Sequence, residues 1–190
     1  MSPRRQREFT AGRWLLRKLL EREGVVAAGR RVAIGVEGPP VLEGEPGVHL
    51  SISHRNGRVL VAAADHRVGV DIEAVQPRDV ARMSEQVCAD DERQRLARMN
   101  ERAALSSLHE LWVLKEAAYK AGLTKHLPLE FSRVRMIPAE LEPVQAISWR
   151  WENGWVAACA AAHPDGCDVP APWGDDICES RWVMNLTAAP

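Results

Sequence analysis

The sequence predicts an α+β fold of two similar halves, each a small antiparallel sheet packed with a long helix. Each half carries one long helical pattern, over residues 8–22 and 101–121, and each carries hairpin signals. The chain has 190 residues, 46% hydrophobic and 27% charged. This size suits one globular domain or two small halves that share a core.

The first helix is predicted over residues 8–22, where apolar side chains form one stripe and arginines take the opposite face. Residues 32–48 are rich in glycine and proline, which predicts a short strand followed by a loop. A further strand is predicted from Val48 to Ser53.

An apolar run from Arg58 to Ala64 predicts the next strand. Residues 65–67 are suited to a turn into Val68–Glu73, so we expect these two strands to pair as a hairpin. We therefore place an N-terminal half at residues 1–75.

The C-terminal half is placed at residues 76–162. Its charged segment 78–99 predicts a short helix, and residues 101–121 predict a long helix that Gly122 is placed to end. Two apolar segments, Val144–Trp151 and Trp155–Ala162, then flank an Asn-Gly pair, which indicates a hairpin. The prolines after His163 predict an irregular tail over residues 163–190.

Composition excludes several classes of protein. No run approaches the roughly 18 apolar residues of a membrane helix, and no signal peptide is visible at the N-terminus. The four cysteines show no C-x-x-C spacing, which argues against a disulfide framework and a structural zinc site and favours a reducing cytoplasm. These are Cys88, Cys159, Cys167 and Cys178.

Charge is unevenly distributed along the chain. Residues 1–31 carry a net charge of +6 and the remainder −7, which together give the formal net charge of −1. A basic end on an acidic chain indicates either an anionic partner or a solvated helix face.

The segment Gly69-Val70-Asp71-Ile72-Glu73 is the first candidate for chemistry. In a strand, Asp71 and Glu73 share one face with backbones about 7 Å apart. Two carboxylates that close need solvation or a cation, and oxygen ligands favour Mg²⁺ or Mn²⁺ over zinc. Acid-x-acid pairs also arise by chance in a chain with 26 acidic residues.

The second candidate is the helical segment from Trp112 to Lys120, in which a spacing of four places Trp112, Glu116 and Lys120 on one face. Either Trp112 is a core anchor and Glu116–Lys120 an ordinary ion pair, or Glu116 adds a third carboxylate and Lys120 meets a phosphate.

The third candidate is the pair Ser53-His54 at the end of a strand. Neighbouring strand residues point to opposite faces, which is a poor geometry for a Ser-His catalytic couple. The pair is suited either to hydrogen bonding a phosphate or to an ordinary turn with an exposed histidine.

The order of these segments closely resembles the 4′-phosphopantetheinyl transferases, specifically the monomeric type that activates surfactin synthetase. The two family signatures stand at residues 69–73 and 112–120, and Ile52-Ser53-His54 and residues 127–131 also resemble family segments. The similarity covers roughly residues 9–162.

The resemblance implies transfer of phosphopantetheine from coenzyme A to a serine of an acyl or peptidyl carrier protein, with release of adenosine 3′,5′-bisphosphate. Asp71, Glu73 and Glu116 would bind Mg²⁺, or Mn²⁺, against the pyrophosphate. Lys120 would contact the phosphates and assist the leaving group, so Glu116 and Lys120 are the expected catalytic residues. The expected base is Glu116, directly or through a metal-bound water.

By the same resemblance, Ser53, His54 and Lys120 would contact coenzyme A phosphates and Arg13 would lie at its nucleotide end. We expect a cytoplasmic monomer whose partners are coenzyme A and a carrier protein, with no nucleic acid and no membrane. A contact between Arg13 and the nucleotide of coenzyme A would explain the basic N-terminus.

Two departures from the family pattern stand out. The strand and helix that commonly precede the Arg13 segment are not seen, so we expect stability or nucleotide affinity to differ. In addition, Gly38-Pro39-Pro40 replaces the usual Gly-Lys-Pro, which removes one ammonium contact. The alternative function is a non-catalytic module that binds carrier protein or coenzyme A. Retention of three carboxylates and Lys120 favours the enzyme.

Overall fold

The structure, a computed structural model, describes residues 2–25, 31–34, 38–125, 128–139, 144–161 and 177–186. It confirms the α+β class, with a helix packed on each of two antiparallel sheets. Within the described residues the elements follow in the order α1 (Pro3–Arg22), β1 (Val32–Ile34), β2 (Pro40–Leu42), β3 (His49–Arg55), β4 (Arg58–Ala64), β5 (Val68–Ala74), α2 (Val80–Val87), α3 (Asp90–Ala97), α4 (Glu101–Lys120), a 3₁₀ helix (Pro128–Arg133), β6 (Val134–Pro138), β7 (Ala146–Trp151), β8 (Trp155–Ala161) and β9 (Ile177–Leu186).

Helix α1 begins five residues before the start that its apolar stripe predicts. The hydroxyl of Ser2 accepts a hydrogen bond from the Arg5 N–H at 3.3 Å, and Pro3 occupies the first turn, where its missing N–H leaves no bond unmade. Leu16 and Leu20 are fully buried against the first sheet. Capping at Ser2-Pro3 therefore sets where helix α1 begins, while burial of Leu16 and Leu20 sets which face of the helix packs on the first sheet.

The first sheet has the strand order β1-β2-β3-β4. Strand β3 pairs with β4 along its whole length, from His49 opposite Ala64 to Arg55 opposite Arg58. The two turn residues, Asn56 and Gly57, have φ of 46° and 83°, which is the left-handed conformation that a two-residue hairpin turn needs.

The predicted hairpin between residues 58–64 and 68–73 is wrong. Strand β5 pairs with β8 of the second sheet, from Val68 opposite Ala161 to Ala74 opposite Trp155. The reason is burial at long range, because the apolar face of β5 packs in a core formed with β7 and β8 and covered by β4. Residues 65–67 thus carry the chain from the first sheet to the second. Strand β5 lies within the predicted N-terminal half, residues 1–75, but belongs to the second sheet.

The second sheet has the strand order β5-β8-β7-β9-β6. Its β7–β8 hairpin turns at residues 152–154, as the Asn-Gly pair predicts. The prediction of an irregular tail over 163–190 is wrong for Ile177–Leu186, which form β9 between β7 and β6. Trp182 anchors this strand, since its ring is buried and its Nε1 donates to the Ser148 hydroxyl at 2.8 Å. The rest of that tail lies outside the described residues.

Helix α4 packs across the second sheet on the face opposite β4. It begins after Asn100, whose side chain accepts a hydrogen bond from the Ala103 N–H at 2.9 Å, and it ends at Lys120, one residue before the predicted end. The charged segment 78–99 forms two short helices, α2 and α3, instead of one. In the part of the chain that the structure describes, no helix is long and apolar enough to cross a membrane.

Candidate active site

A cavity of about 280 Å³ lies where β3, β5 and α4 meet. Six of the seven predicted site residues line it, two from β3, two from β5 and two from α4. The lining consists of Ile52, Ser53, His54, Asp71, Glu73, Trp112, Glu116 and Lys120. The structure therefore brings together the three sequence segments that were singled out for chemistry.

Gly69 allows β5 to approach α4 closely. A Cβ at this position would lie 2.0 Å from the carbonyl oxygen of Ala117 and 2.5 Å from the backbone nitrogen of Ala121. Since real Cβ contacts are much longer, only glycine fits without movement of the backbone. The two carboxylates that follow on the same face of β5 are consequently held beside the last turns of α4.

Asp71 is the most buried acid of the cavity, with 5% of its surface exposed. Its Oδ1 accepts hydrogen bonds from Lys120 Nζ at 2.6 Å and from the Ser53 hydroxyl at 2.7 Å. Lys120 Nζ also donates to the Val70 carbonyl oxygen at 3.2 Å. The other carboxylate oxygen, Oδ2, is buried with no hydrogen-bond partner among the described residues. Such an oxygen is suited to a cation, because an unpartnered buried acceptor is costly.

Ser51 and Ser53 join the two sheets at this point. The Ser51 hydroxyl accepts a hydrogen bond from the Val70 N–H at 3.0 Å, and the Ser53 hydroxyl accepts one from the Ile72 N–H at 3.3 Å. The free edge of β5 is thus capped by side chains of β3. Sequence reasoning assigned Ser53 to a phosphate and missed this role, although Ser-x-Ser on one face of a strand was the available signal.

Burial raises the pKa of Glu73, and the nearby Asp71 raises it further, while Arg55 opposes the shift. Arg55 Nε lies 2.9 Å from Glu73 Oε2. Burial also raises the pKa of Glu116, with Asp71 acting in the same direction and Lys120 against it. The cavity therefore disfavours the charged forms of Glu73 and Glu116, chiefly because these side chains are withdrawn from water.

The predicted metal ligands share the cavity without being gathered around one point. No group of three His, Cys, Asp or Glu side chains is close enough to hold a metal ion in the ranges that the structure describes. Here Asp71 contacts Lys120 and Glu73 contacts Arg55, so each of these carboxylates has a protein cation as its neighbour.

Trp112 belongs both to the core and to the cavity wall. Its ring meets the fully buried Phe131 edge-on, with centroids 5.8 Å apart and planes at 68°. Glu116 and Lys120 follow on the same helical face, as their spacing predicts.

His54 and Arg13 differ in their relation to the cavity. His54 lines it, with its Nδ1 3.2 Å from Glu8 Oε2 of α1. Arg13 does not appear among the lining residues, and its guanidinium lies 3.5 Å above the ring of Phe9. Its contact with a nucleotide stays a prediction.

Lys115, within the second signature, points away from the cavity into the core and is fully buried. Its Nζ donates to Glu92 Oε2 at 2.5 Å, to the Val87 carbonyl oxygen at 2.7 Å and to the Phe131 carbonyl oxygen at 3.1 Å. The helical step of 100° separates Lys115 from Glu116, so one signature supplies a structural lysine and a cavity acid. Sequence reasoning assigned Lys115 no role.

Comparison with known families agrees with this geometry. A model described as the 4′-phosphopantetheinyl transferase superfamily matches residues 67–161, and a model of the 4′-phosphopantetheinyl transferase N-terminal domain matches residues 1–64. The chain belongs to the 4′-phosphopantetheinyl transferase superfamily. The resemblance drawn from the motifs is confirmed, and the two matches meet where the chain passes between the two sheets.

Individual 4′-phosphopantetheinyl transferases are similar to this chain over different lengths. One from Bacillus subtilis is 29% identical over 156 residues, which cover 76% of this chain and 69% of that protein. The transferase gsp of Aneurinibacillus migulanus is 34% identical over 43% of this chain and 35% of its own length. The transferase psf-1 of Bacillus pumilus is 36% identical over 44% of this chain and 35% of its own length. These matches support the surfactin-synthetase-activating type within an enzyme family.

Proposed function

We propose that this protein transfers 4′-phosphopantetheine from coenzyme A to a serine hydroxyl of an acyl or peptidyl carrier protein, releasing adenosine 3′,5′-bisphosphate. The transferase names of its relatives support the reaction class. The observation that carries the proposal is the shared cavity, in which three acids and Lys120 lie beside His54.

The chemistry of the donor set fits a divalent cation, which Asp71 and Glu73 would take in exchange for Lys120 and Arg55. Asp71 Oδ2 is buried without a partner, and burial raises the pKa values of Glu73 and Glu116, so added positive charge would be accommodated. Oxygen-only donors suit Mg²⁺ or Mn²⁺. Asp71, Glu73 and Glu116 would hold the ion, which would supply neutralisation of the pyrophosphate charge.

The remaining chemistry falls to side chains of this chain. Lys120, at the end of α4 with a side chain 30% exposed, can reach a phosphate oxygen and stabilise the leaving group. Glu116, directly or through a water, accepts the proton of the attacking serine. His54 contacts the phosphates, and Ser53 does so by turning its hydroxyl hydrogen from Asp71 to a phosphate oxygen. Arg13 contacts the nucleotide.

The test is the mass of an apo carrier protein incubated with coenzyme A, Mg²⁺ and this protein. We expect a gain of about 340 Da, the mass of phosphopantetheine. EDTA should abolish the gain and excess Mg²⁺ restore it. Binding without a mass gain would favour the alternative, a non-catalytic module that binds the carrier or coenzyme A.

Substitutions localise the activity to the cavity. Asp71→Ala and Glu116→Gln should each lower the transfer rate by about 100- to 1000-fold, because charge developing on the phosphates loses its stabilisation. Glu101→Gln is the matched control, since Glu101 is an exposed acid at the other end of the same helix. Full activity in either cavity variant would overturn the assignment of this site.

A further inference from the structure

Glu8 is a buried acid on a helix whose other charged residues lie largely in solvent. Its side chain is 9% exposed, and its two oxygens have different partners in the first sheet. Oε1 accepts a hydrogen bond from the Gly57 N–H at 2.7 Å, and Oε2 lies 3.2 Å from Nδ1 of His54. Arg4 Nε is 3.7 Å from Oε1 on the solvent side.

The contact with Gly57 fixes the tip of the β3–β4 hairpin. Gly57 is the second left-handed residue of the turn. Its N–H holds the pKa of Glu8 below its usual range, although burial opposes this. Helix α1, the hairpin turn and the end of β3 are therefore joined through one carboxylate.

The contact between Glu8 and His54 determines which imidazole nitrogen can hydrogen-bond to a ligand. Because Nδ1 faces Glu8, the nitrogen left for a ligand is Nε2 on the other side of the ring. An imidazolium has two N–H donors, so when one is directed to Glu8 the other is free to donate to an anionic oxygen.

We infer that Glu8 is a positioning residue, which fixes the orientation and the Nδ1–H of His54 so that the Nε2–H of the imidazolium donates to a phosphate oxygen of coenzyme A. The inference rests on the proposed function for the identity of the ligand. It adds to that function a residue outside the cavity lining, contributed by the basic helix.

Glutamine is the informative substitution because it is nearly isosteric but has only one acceptor oxygen. In Glu8→Gln this oxygen can keep the Gly57 N–H, and the NH₂ group then faces Nδ1 of His54. The ring must respond by carrying its proton on Nε2. Glu8→Ala removes both partners, and Glu21→Gln is the matched control, because Glu21 is an acid of the same helix paired only with Lys18 and Arg17 among the partners seen here.

The first measurement is the ¹⁵N chemical shift of both His54 ring nitrogens, at mildly alkaline pH where an ordinary imidazole is neutral. We expect protonation at Nδ1 in the parent and in Glu21→Gln, and at Nε2 in Glu8→Gln. A parent ring protonated at Nε2, or a ring unchanged in Glu8→Gln, would overturn the inference.

The second measurement is coenzyme A affinity by titration calorimetry, together with steady-state kinetics. At a pH below the usual imidazole pKa, Glu8→Gln should weaken binding about tenfold and raise KM for coenzyme A with kcat little changed, because the ring keeps an Nε2–H donor but loses the positive charge that assists its hydrogen bond to the phosphate. Glu8→Ala should weaken binding at least as much. Equal affinity in the parent and Glu8→Gln would refute the phosphate contact.

The two proposals fail in different ways. A parent that binds coenzyme A and shows the expected tautomers, but modifies no carrier, would overturn the transfer and leave the inference standing. An active parent with unchanged tautomer and affinity in Glu8→Gln would overturn the inference and leave the transfer standing.

Discussion

Two lysines five residues apart on α4 form carboxylate pairs of opposite kinds. Lys115 and Glu92 are both fully buried, and every oxygen and ammonium group has hydrogen-bond partners, including the backbone N–H groups of Ala89 and Met136. Lys120 and Asp71 face a cavity, and one oxygen of Asp71 has no partner among the described residues. The same lysine–carboxylate pair is thus fully hydrogen-bonded in the core, whereas in the cavity it leaves one carboxylate oxygen available to a ligand.

The two pairs also differ in how burial acts on them. Burial lowers the pKa of Lys115, and Glu92 counteracts this shift. That pair joins α4 to the end of α2, to α3, to the 3₁₀ helix and to β6. A pair with so many backbone partners stabilises an arrangement of elements, whereas the Lys120 pair can exchange its partners for a ligand.

The largest expected effect is on stability, from breaking the buried pair. Lys115→Met should lower the free energy of unfolding by about 3–5 kcal/mol, because Glu92 is left as an uncompensated buried charge. Urea denaturation followed by tryptophan fluorescence measures it. The double variant Lys115→Met/Glu92→Gln should recover part of the lost stability. A Lys115→Met variant as stable as the parent would contradict the structural role of the Lys115–Glu92 pair.

The next effect is on activity, from the cavity pair. Lys120→Ala should lower transfer by about 100-fold or more, because the leaving phosphate loses a cation. Its free energy of unfolding should fall by less than that of Lys115→Met, since the lysine is partly exposed and Asp71 keeps the Ser53 hydroxyl. Mass spectrometry of the carrier and urea denaturation together test this. A large loss of stability with normal transfer would make Lys120 resemble Lys115.

Gly69→Ala tests the close approach of β5 to α4, which holds Asp71 beside Lys120. The added methyl group would overlap the Ala117 carbonyl oxygen, so we expect a loss of about 3 kcal/mol in unfolding free energy. The shift of β5 from α4 should also lower transfer in the surviving folded protein. Gly154→Ala, in an open turn, is the control for loss of a glycine in the same sheet, and its cost should come from φ alone.

The smallest effect concerns Arg55, the cation beside Glu73. Arg55→Gln should raise the affinity for Mn²⁺ by about two- to fivefold, because a partly exposed ion pair no longer competes for the carboxylate. Binding is followed by the electron paramagnetic resonance signal of free Mn²⁺, without any turnover. Arg135→Gln, which breaks the exposed pair with Asp91, is the control and should leave Mn²⁺ affinity unchanged.

Sequence patterns located the cavity residues because periodicity is local. Alternation placed Asp71 and Glu73 on one face of a strand, and a spacing of four placed Glu116 and Lys120 on one face of a helix. The partners across the cavity were not readable in this way. Nothing local connects Glu92 with Lys115, or Ser51 with the edge of β5, since these contacts depend on how distant elements pack.

Strand pairing shows the same limit. Residues 65–67 have the composition of a hairpin turn, but β5 pairs with β8, almost the whole C-terminal half later in the chain. The strand Ile177–Leu186 was missed because the preceding proline-rich stretch indicates irregular structure, while Trp182 becomes buried only once β7 and β6 are in place. Local composition predicts where the strands lie, whereas packing of the core determines which strands pair.

The position of β9 has a consequence for biosynthesis. The last described strand fills the gap between β7 and β6, so the second sheet stays split until residue 186 has left the ribosome. Until then one edge of β7 and the β9-facing edge of β6 expose unpaired backbone, which is the kind of edge that promotes association between nascent chains. A chain shortened before Ile177 would keep every cavity-lining residue and still lack a continuous sheet beneath α4.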